Sequence, residues 1–363
     1  MSARTDLSPA AGTLLRLMAF LDHAPLPLAV LSAAGDALSP PLDAAAADPA
    51  ALDAAEAELA RAGLLQAAGP ALLRAEVAEA VRIELGPEKP AWAAAAAATV
   101  AAAYPREPER PDAADTADAL LPHARAAAAY AEVAGEGLDA AGQCLLLAGR
   151  TLLARGQPDA ARRELERAVA LLESARGPEH PSVALALTYL NGALSALGDR
   201  GPMLDNARRV LAILEAAHGA RHPEVVVHVN NVGTLLRTAG RLDEACGYFL
   251  RAMELSEEVF GPGHPMTATL HGNLGETLYG LRGPAEARPH LARALAIDEA
   301  AYGPSHPSVA RDLHRLGRVL AELGERAEAL VLLQRAIDFL QRAAGEDDPR
   351  VQAVRAQIRA LED

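Results

Sequence analysis

The sequence predicts an all-α protein: a right-handed helical repeat solenoid preceded by a small helical unit. Three observations predict it. A five-residue word recurs at an unvarying 42-residue spacing, as GPEHP (Gly177–Pro181), GARHP (Gly219–Pro223), GPGHP (Gly261–Pro265), GPSHP (Gly303–Pro307) and GEDDP (Gly345–Pro349). A fixed period of that size marks a chain in which each unit is one supersecondary element that must stack on its neighbours to bury its apolar face. Apolar residues make up 51% of the chain and aromatics only 3%, so alanine and leucine supply the burial and helices can pack closely. Windows of alternating Val, Ile, Thr or aromatic residues are scarce, which argues against a large sheet.

From Leu138 onward each period has the same grammar. A first helix follows the His-Pro, and a tight turn such as AGRLD (Ala239–Asp243) or LGERA (Leu323–Ala327) ends it. A second helix then runs to an apolar residue and Gly, as in EEVFG (Glu257–Gly261) and EAAYG (Glu299–Gly303). Gly closes a helix in the left-handed conformation, and Pro at the start of the next has no amide there to waste. Superposed, the periods align Gly149, Asn191, Gly233, Gly275 and Gly317, each followed three residues on by leucine. In the second helix Ala161, Met203, Ala245, Ala287 and Ala329 align, then Leu165, Ala207, Phe249, Leu291 and Leu333. Small residues where two helices cross, with large ones filling the hollow between, let an antiparallel pair approach closely.

These columns resemble the signature of the tetratricopeptide repeat. The 42-residue period and words such as HPEVVVHVNNVGTLL (His222–Leu236) resemble more narrowly the long-helix variant of kinesin light chains and bacterial regulators. The resemblance covers Leu138 to the last residue. One period departs from it, with Met203 at the small site and Asn191 at the glycine site, so packing is expected to be altered locally there. Asp347–Asp363 reads as a polar helix capping the array.

Residues 1–137 lack the period. They read as a helix over Gly12–Leu21, a Pro-bounded helix over Ala24–Leu31, a loop over Leu38–Pro49, a helix over Ala51–Ala62, a short hairpin over Leu64–Ala75 and a helix over Glu76–Leu85. Three helices and a small wing make a winged-helix-like unit. Its order, followed by alanine-rich helices and then repeats, resembles the C-terminal half of actinobacterial NB-ARC regulators of the signal-transduction ATPase type. In that family the half lies behind a nucleotide-binding domain, and the position matching its nucleotide-sensing histidine is Arg74 here. The sequence contains no G-x-x-x-x-G-K-[ST] phosphate loop, so no nucleotide cofactor is expected. The expected organisation is a winged-helix-like unit over residues 1–90, a helical linker over 91–137 and the repeat solenoid over 138–363.

The charge of −14 argues against broad attachment to phosphate backbones or anionic lipid. The third helix of the winged unit, the one that would enter a groove of DNA, carries Asp53, Glu56 and Glu58 against Arg61, and an acidic helix is repelled by phosphate. The alanine run Ala91–Tyr104 is too short to span a membrane. Cys144 and Cys246 fall on apolar helical faces, as small hydrophobes in a reducing, cytoplasmic compartment. The column of His180, His222, His264 and His306 looks metal-like, but equivalent residues of stacked repeats lie about 8–10 Å apart, whereas zinc needs its nitrogens about 2.1 Å away. These histidines are expected to cap helix starts, and no metal is expected. The fifth word, with Asp348 in place of His, fits a cap. No G-x-S-x-G turn or Cys–His pairing suggests catalysis, so the chain is not expected to be an enzyme.

The concave groove remains. In the family resembled, its wall comes from the first helix of each repeat, and a side chain just before the apolar-Gly pair holds a peptide backbone. Those positions are Tyr189, Asn231, Asn273 and Arg315, with Thr188, Asn230, Arg237, Glu276, Tyr279, Arg311, His314 and Arg318 beside them. Asparagine offers the donor and acceptor that a peptide's amide units need. Arg311, Arg315 and Arg318 share one helical stripe, which points to an acidic segment or a free C-terminus as ligand. The expected function is a non-catalytic protein- or peptide-binding scaffold or regulator. The alternatives are a winged-helix transcriptional regulator, or a sensor arm acting in trans on a separately encoded ATPase or effector.

Overall fold

The computed structural model describes residues 7–40, 42–66 and 71–362. Its backbone falls into two compact units, residues 1–206 and 207–363. Among the described residues, extended pairing is confined to one antiparallel bridge, Leu65 with Leu73.

In the first unit α1 (Pro9–Met18) starts at Ser8, whose hydroxyl accepts from the Ala11 amide at 3.3 Å. The helix expected over Ala24–Leu31 instead forms as a 3-10 segment over Leu28–Ala37, kinked at Gly35. Pro25 and Pro27 explain the delay, because each removes an amide donor and pushes the residue before it to extended backbone. The expected loop over Leu38–Pro49 also contains a helical turn, α2 (Leu42–Ala46). Then come α3 (Pro49–Arg61), capped by Asp48, and α4 (Ala75–Glu84). Between them the expected hairpin is reduced to the Leu65–Leu73 bridge, with Gln66 N–H donating to Leu72 O at 2.9 Å. Its turn, residues 67–70, lies outside the described residues.

The stretch expected as a linker is a helical pair, α5 (Lys89–Ala103) and α6 (Ala114–Ala134), packed on each other and on α7 (Leu138–Ala154). Tyr104, at the end of α5, fixes this packing: its hydroxyl lies 2.8 Å from Thr151 Oγ1 and donates to Ala117 O at 3.0 Å. Burial pushes the phenol up to about 12. The repeats continue with α8 (Pro158–Arg176), α9 (Pro181–Leu197) and α10 (Met203–His218), the last spanning the boundary between units.

The second unit holds α11 (Pro223–Thr238), α12 (Leu242–Val259), α13 (Pro265–Arg282), α14 (Pro284–Tyr302), α15 (Pro307–Glu322), α16 (Arg326–Ala344) and α17 (Pro349–Glu362). The small–large columns are real contacts. A methyl group built on Gly233 would sit 2.8 Å from Phe249, on Gly275 2.8 Å from Leu291, and on Gly317 2.9 Å from Leu333. In the first unit Gly149 faces Leu165 in the same way. Where Asn191 replaces glycine the packing is altered, as expected, and the crossing becomes polar: its amide donates to Met203 O at 3.0 Å and its carbonyl accepts from Asn206 at 3.0 Å. The final helix α17 buries Val351, Val354 and Ile358 against Leu333 and Ile337.

The recurring histidines cap helices. Nδ1 of His180, His222, His264 and His306 accepts the amide two residues on, at 3.1, 3.3, 3.0 and 3.2 Å. Three of the rings also stack on the side chain four residues back, His218, Phe260 or Tyr302. Asp348 does the same work, accepting from the Arg350 amide at 2.8 Å.

Candidate protein-binding surface

In the second unit the first helices of successive repeats, α11, α13 and α15, approach one another directly, and their shared wall carries most of the candidate residues. Their side chains are tied across repeats at a fixed offset. Asn273 donates to Asn230 Oδ1 at 2.8 Å, Arg318 to Glu276 at 2.9 Å, and His314 Nε2 lies 3.1 Å from Gln357 Oε1. The Tyr279 hydroxyl donates to Glu322. Each link joins residues one period, or one period plus one residue, apart. That geometry follows from stacking: equivalent turns of neighbouring repeats lie side by side, so long polar side chains reach the next repeat.

This ladder corrects one pairing legible in the sequence. Glu322 stands one turn after Arg318, the usual helical ion-pair spacing, yet it accepts from Tyr279, while Arg318 reaches back to Glu276 and lies 4.5 Å over the Tyr279 ring. The Glu322 bond holds the Tyr279 phenol above its ordinary range.

Arg315 and Arg318 share the carboxylate of Glu276, and the charge of Arg237 acts on Arg315. Arg315 Nε lies 3.9 Å from Glu276 and its Nη1 3.7 Å from Asp312. Burial, then the charges of Arg311 and Arg237, lowers the Arg315 pKa against the pull of Glu276 and Asp312. The Nε–H groups of Arg237 and Arg318 are buried without a hydrogen-bond partner. Asn231 is exposed on the same helix as Asn230.

Three candidates stand apart. Arg311 reaches the second helix of the preceding repeat, 3.6 Å from Asp298 on α14, and lies 3.3 Å from Asp312, whose Oδ1 is 3.7 Å from Arg315. Tyr189 belongs to the first unit, where the Arg150 guanidinium lies 4.8 Å over its ring and pairs with Glu109 at 2.7 Å. Thr188 bonds back to Ala184 O within its own helix. Glu322, Gln357, Asp298 and Asp312, none of them among the candidate groove residues, complete these networks. The first two were detectable by pairing each groove residue with the one 43 positions on.

Comparison with known proteins fits this geometry. A tetratricopeptide-repeat family model matches residues 224–300 and 273–342, and a second such model matches residues 143–182. Those residues are tetratricopeptide repeats. No curated protein sequence matches the chain. Among solved structures, BtubC (BKLC) from P. vanneervenii is 19% identical, with a TM-score of 0.52 over 64% of this chain and 91% of its own. A putative kinesin light chain from Podosopora anserina with nearly identical TPR-like repeats is 22% identical, with a TM-score of 0.49 over 55% of this chain and 94% of its own. A Signal Transduction ATPase with Numerous Domains (STAND) protein with a tetratricopeptide repeat sensor, from Pyrococcus horikoshii, is 11% identical. Its TM-score is 0.51 over 99% of this chain and 60% of its own. At these identities BtubC and the STAND protein share the fold with this chain.

Among the described residues no group of three or more His, Cys, Asp or Glu converges as a metal site, and no helix is long and apolar enough to cross a membrane.

Proposed function

We propose that the wall formed by α11, α13 and α15 binds an extended, acidic segment of a partner protein, and that the chain acts as a non-catalytic scaffold or regulator in the cytoplasm. Tetratricopeptide repeats are in general protein-interaction scaffolds. One observation carries the acidic preference. Arg315 and Arg318 share the single carboxylate of Glu276 while the charge of Arg237 acts on Arg315, and Arg237 and Arg318 each leave a buried Nε–H without an acceptor. A buried donor left unmade costs free energy that a ligand's carboxylate or carbonyl recovers on binding. Asn231 supplies a donor and an acceptor to the backbone of the same segment.

A second reading fits within the first. The STAND protein's likeness extends over 99% of this chain, including the N-terminal helices and their Leu65–Leu73 bridge, which we read as a degenerate winged-helix-like unit. In that reading the chain is a sensor arm that acts in trans on a separate ATPase or effector. The acidic helix α3 favours a packing role for this unit over DNA contact.

Selection of a random peptide library on the full chain tests the proposal. Selected peptides are expected to be enriched in Asp, Glu or free carboxyl termini, and to lose binding to Arg237→Ala and Arg318→Ala but not to Arg335→Ala, on α16. Absence of enrichment, or equal losses for all three variants, would overturn it.

A further inference from the structure

The α13–α14 hairpin departs from its sister repeats at one internal slot. In the 42-residue register, position 271 aligns with Leu145, Leu187, Val229 and Leu313, all buried. Position 290 aligns with Glu164, Asn206 and Tyr248 in the preceding repeats and with Leu332 in the following one, where Leu313 and Leu332 belong to one apolar cluster. In the α13–α14 pair both positions are histidine. His271 Nδ1 and His290 Nδ1 lie 3.2 Å apart, with ring centroids at 5.4 Å. Both rings are half-buried. Two imidazoles in a slot that the next repeat fills with two leucines give up apolar burial and take on a desolvation cost. One shared hydrogen bond returns only part of that.

We propose that His271 and His290 form a two-histidine clamp for a divalent transition-metal ion of the zinc class, ligated through both Nδ1 atoms. The separation is the first argument. Two nitrogens about 2.0–2.1 Å from one tetrahedral ion lie about 3.3 Å from each other, so the fold already holds the pair at the required bite. The second is protonation. Burial, with His290 and Arg293 adding to it, pushes His271 down to about 4, and burial lowers His290 against the pull of Glu286, so both rings are neutral ligands at neutral pH. The ring that donates the shared hydrogen bond carries its proton on Nδ1; metal binding moves that proton to Nε2, with no net release. The third is charge. Glu286, one turn before His290 on α14, is exposed, and its negative charge acts on the His290 ring. The same charge opposes that of Arg293 at the pair. Water or a carboxylate of a bound protein fills the ion's remaining positions. The site is distinct from the His180, His222, His264 and His306 series, whose Nδ1 atoms are engaged as helix caps.

The test uses the full chain stripped with a chelator and titrated with zinc chloride, followed by calorimetry and by thermal unfolding. Wild type is expected to take up one zinc ion per chain at this site and to unfold at a higher temperature with zinc than without it. The double variant His271→Leu with His290→Leu, which writes the next repeat's pair into this one, is expected to fold at least as stably without metal and to lose that zinc-dependent shift. His290→Gln keeps a side-chain hydrogen-bonding partner for His271 but removes one imidazole, and is expected to weaken zinc binding by about tenfold or more. Magnesium, which prefers oxygen ligands, is expected to give no shift. A wild-type chain unresponsive to zinc would overturn the proposal, as would an equal response in wild type and both variants, which would assign the ion to other histidines.

Discussion

Asp298 on α14 and Asp312 on α15 are buried inside the second unit, 2% and 0% exposed, and share one guanidinium, that of Arg311, at 3.6 and 3.3 Å. Two carboxyl groups so placed do not both ionise readily, because burial and the charge of each oppose the ionisation of the other. Arg311 and Arg315 face the pair from α15, and Glu276 faces Arg315 from α13. One oxygen of each aspartate, Asp298 Oδ1 and Asp312 Oδ2, still has no partner. Burial pushes Asp312 up to about 6, with the charge of Asp298 adding to it and Arg311 and Arg315 pulling down.

The folded value exceeds the unfolded one, about 3.9. The protonated pair therefore contributes its stability in full below about pH 4, and the contribution is lost as pH rises through about 6. Asp312→Asn keeps a donor and removes the charge. After allowing for lost attraction to Arg311 and Arg315, it is expected to unfold about 1–2 kcal/mol later than wild type at pH 7.5. The gap should close toward pH 4.5. Urea midpoints of both proteins across that range check this; a gap that stays constant with pH would mean the pair does not titrate within the fold.

The capping histidines lead to a second expectation. His264 Nδ1 accepts from the Met266 amide and its ring stacks on Phe260, with centroids 4.6 Å apart. His264→Ala leaves a first-turn donor without its side-chain acceptor and is expected to cost about 1 kcal/mol, whereas His264→Asp should cost much less, since Asp348 performs the same task in the last word. Equal losses in the two variants would assign the stabilisation to ring stacking instead.

At the helix crossings the expected effect is steric. A methyl group on Gly275 would meet Leu291 Cγ and Cδ2 at 2.8 Å and Ala287 O at 3.4 Å, so Gly275→Ala is expected to destabilise by about 1–3 kcal/mol. Adding Leu291→Ala opens the hollow that the methyl group invades. The double change should therefore cost less than the sum of the singles, following the period that pairs Asn191 with Ala207 in sequence. Strict additivity would show that the two helices move apart instead.

The solenoid was legible because its constraints are local and repeated. Gly261 must close a helix at φ +92°, His264 must cap the next, and Gly275 must admit Leu291, and each requirement returns every 42 residues. The N-terminal residues were less legible because no repetition corrects a single misreading: Pro25 and Pro27 delayed one helix and turned it into a 3-10 segment. In the groove, the sequence showed which residues share a helix but not which repeat each side chain leans toward. Arg311 looked equivalent to Arg315 by spacing, yet the buried charge of Asp298 on the neighbouring helix draws it away. Glu322 stands at the helical ion-pair spacing from Arg318, yet it accepts from Tyr279 while Arg318 reaches Glu276 across the repeat.

That competition yields the sharpest expectation for the binding wall. Glu276 already occupies Arg318 at 2.9 Å and lies 3.9 Å from Arg315, so an incoming carboxylate must share or displace it. Glu276→Gln leaves a neutral acceptor in the same place and frees both guanidiniums. If the partner segment is acidic, this substitution should strengthen its binding about two- to fivefold, the scale of one partly exposed ion pair of under about 1 kcal/mol. Arg315→Ala with Arg318→Ala should weaken the same partner, and both effects should shrink as salt rises. A neutral peptide should respond to neither charge change in this way. Fluorescence anisotropy with an acidic peptide and its amidated, Asn/Gln-substituted twin separates the cases. Weaker acidic-peptide binding to Glu276→Gln would mean that Glu276 holds the arginines in their binding posture rather than competing for them.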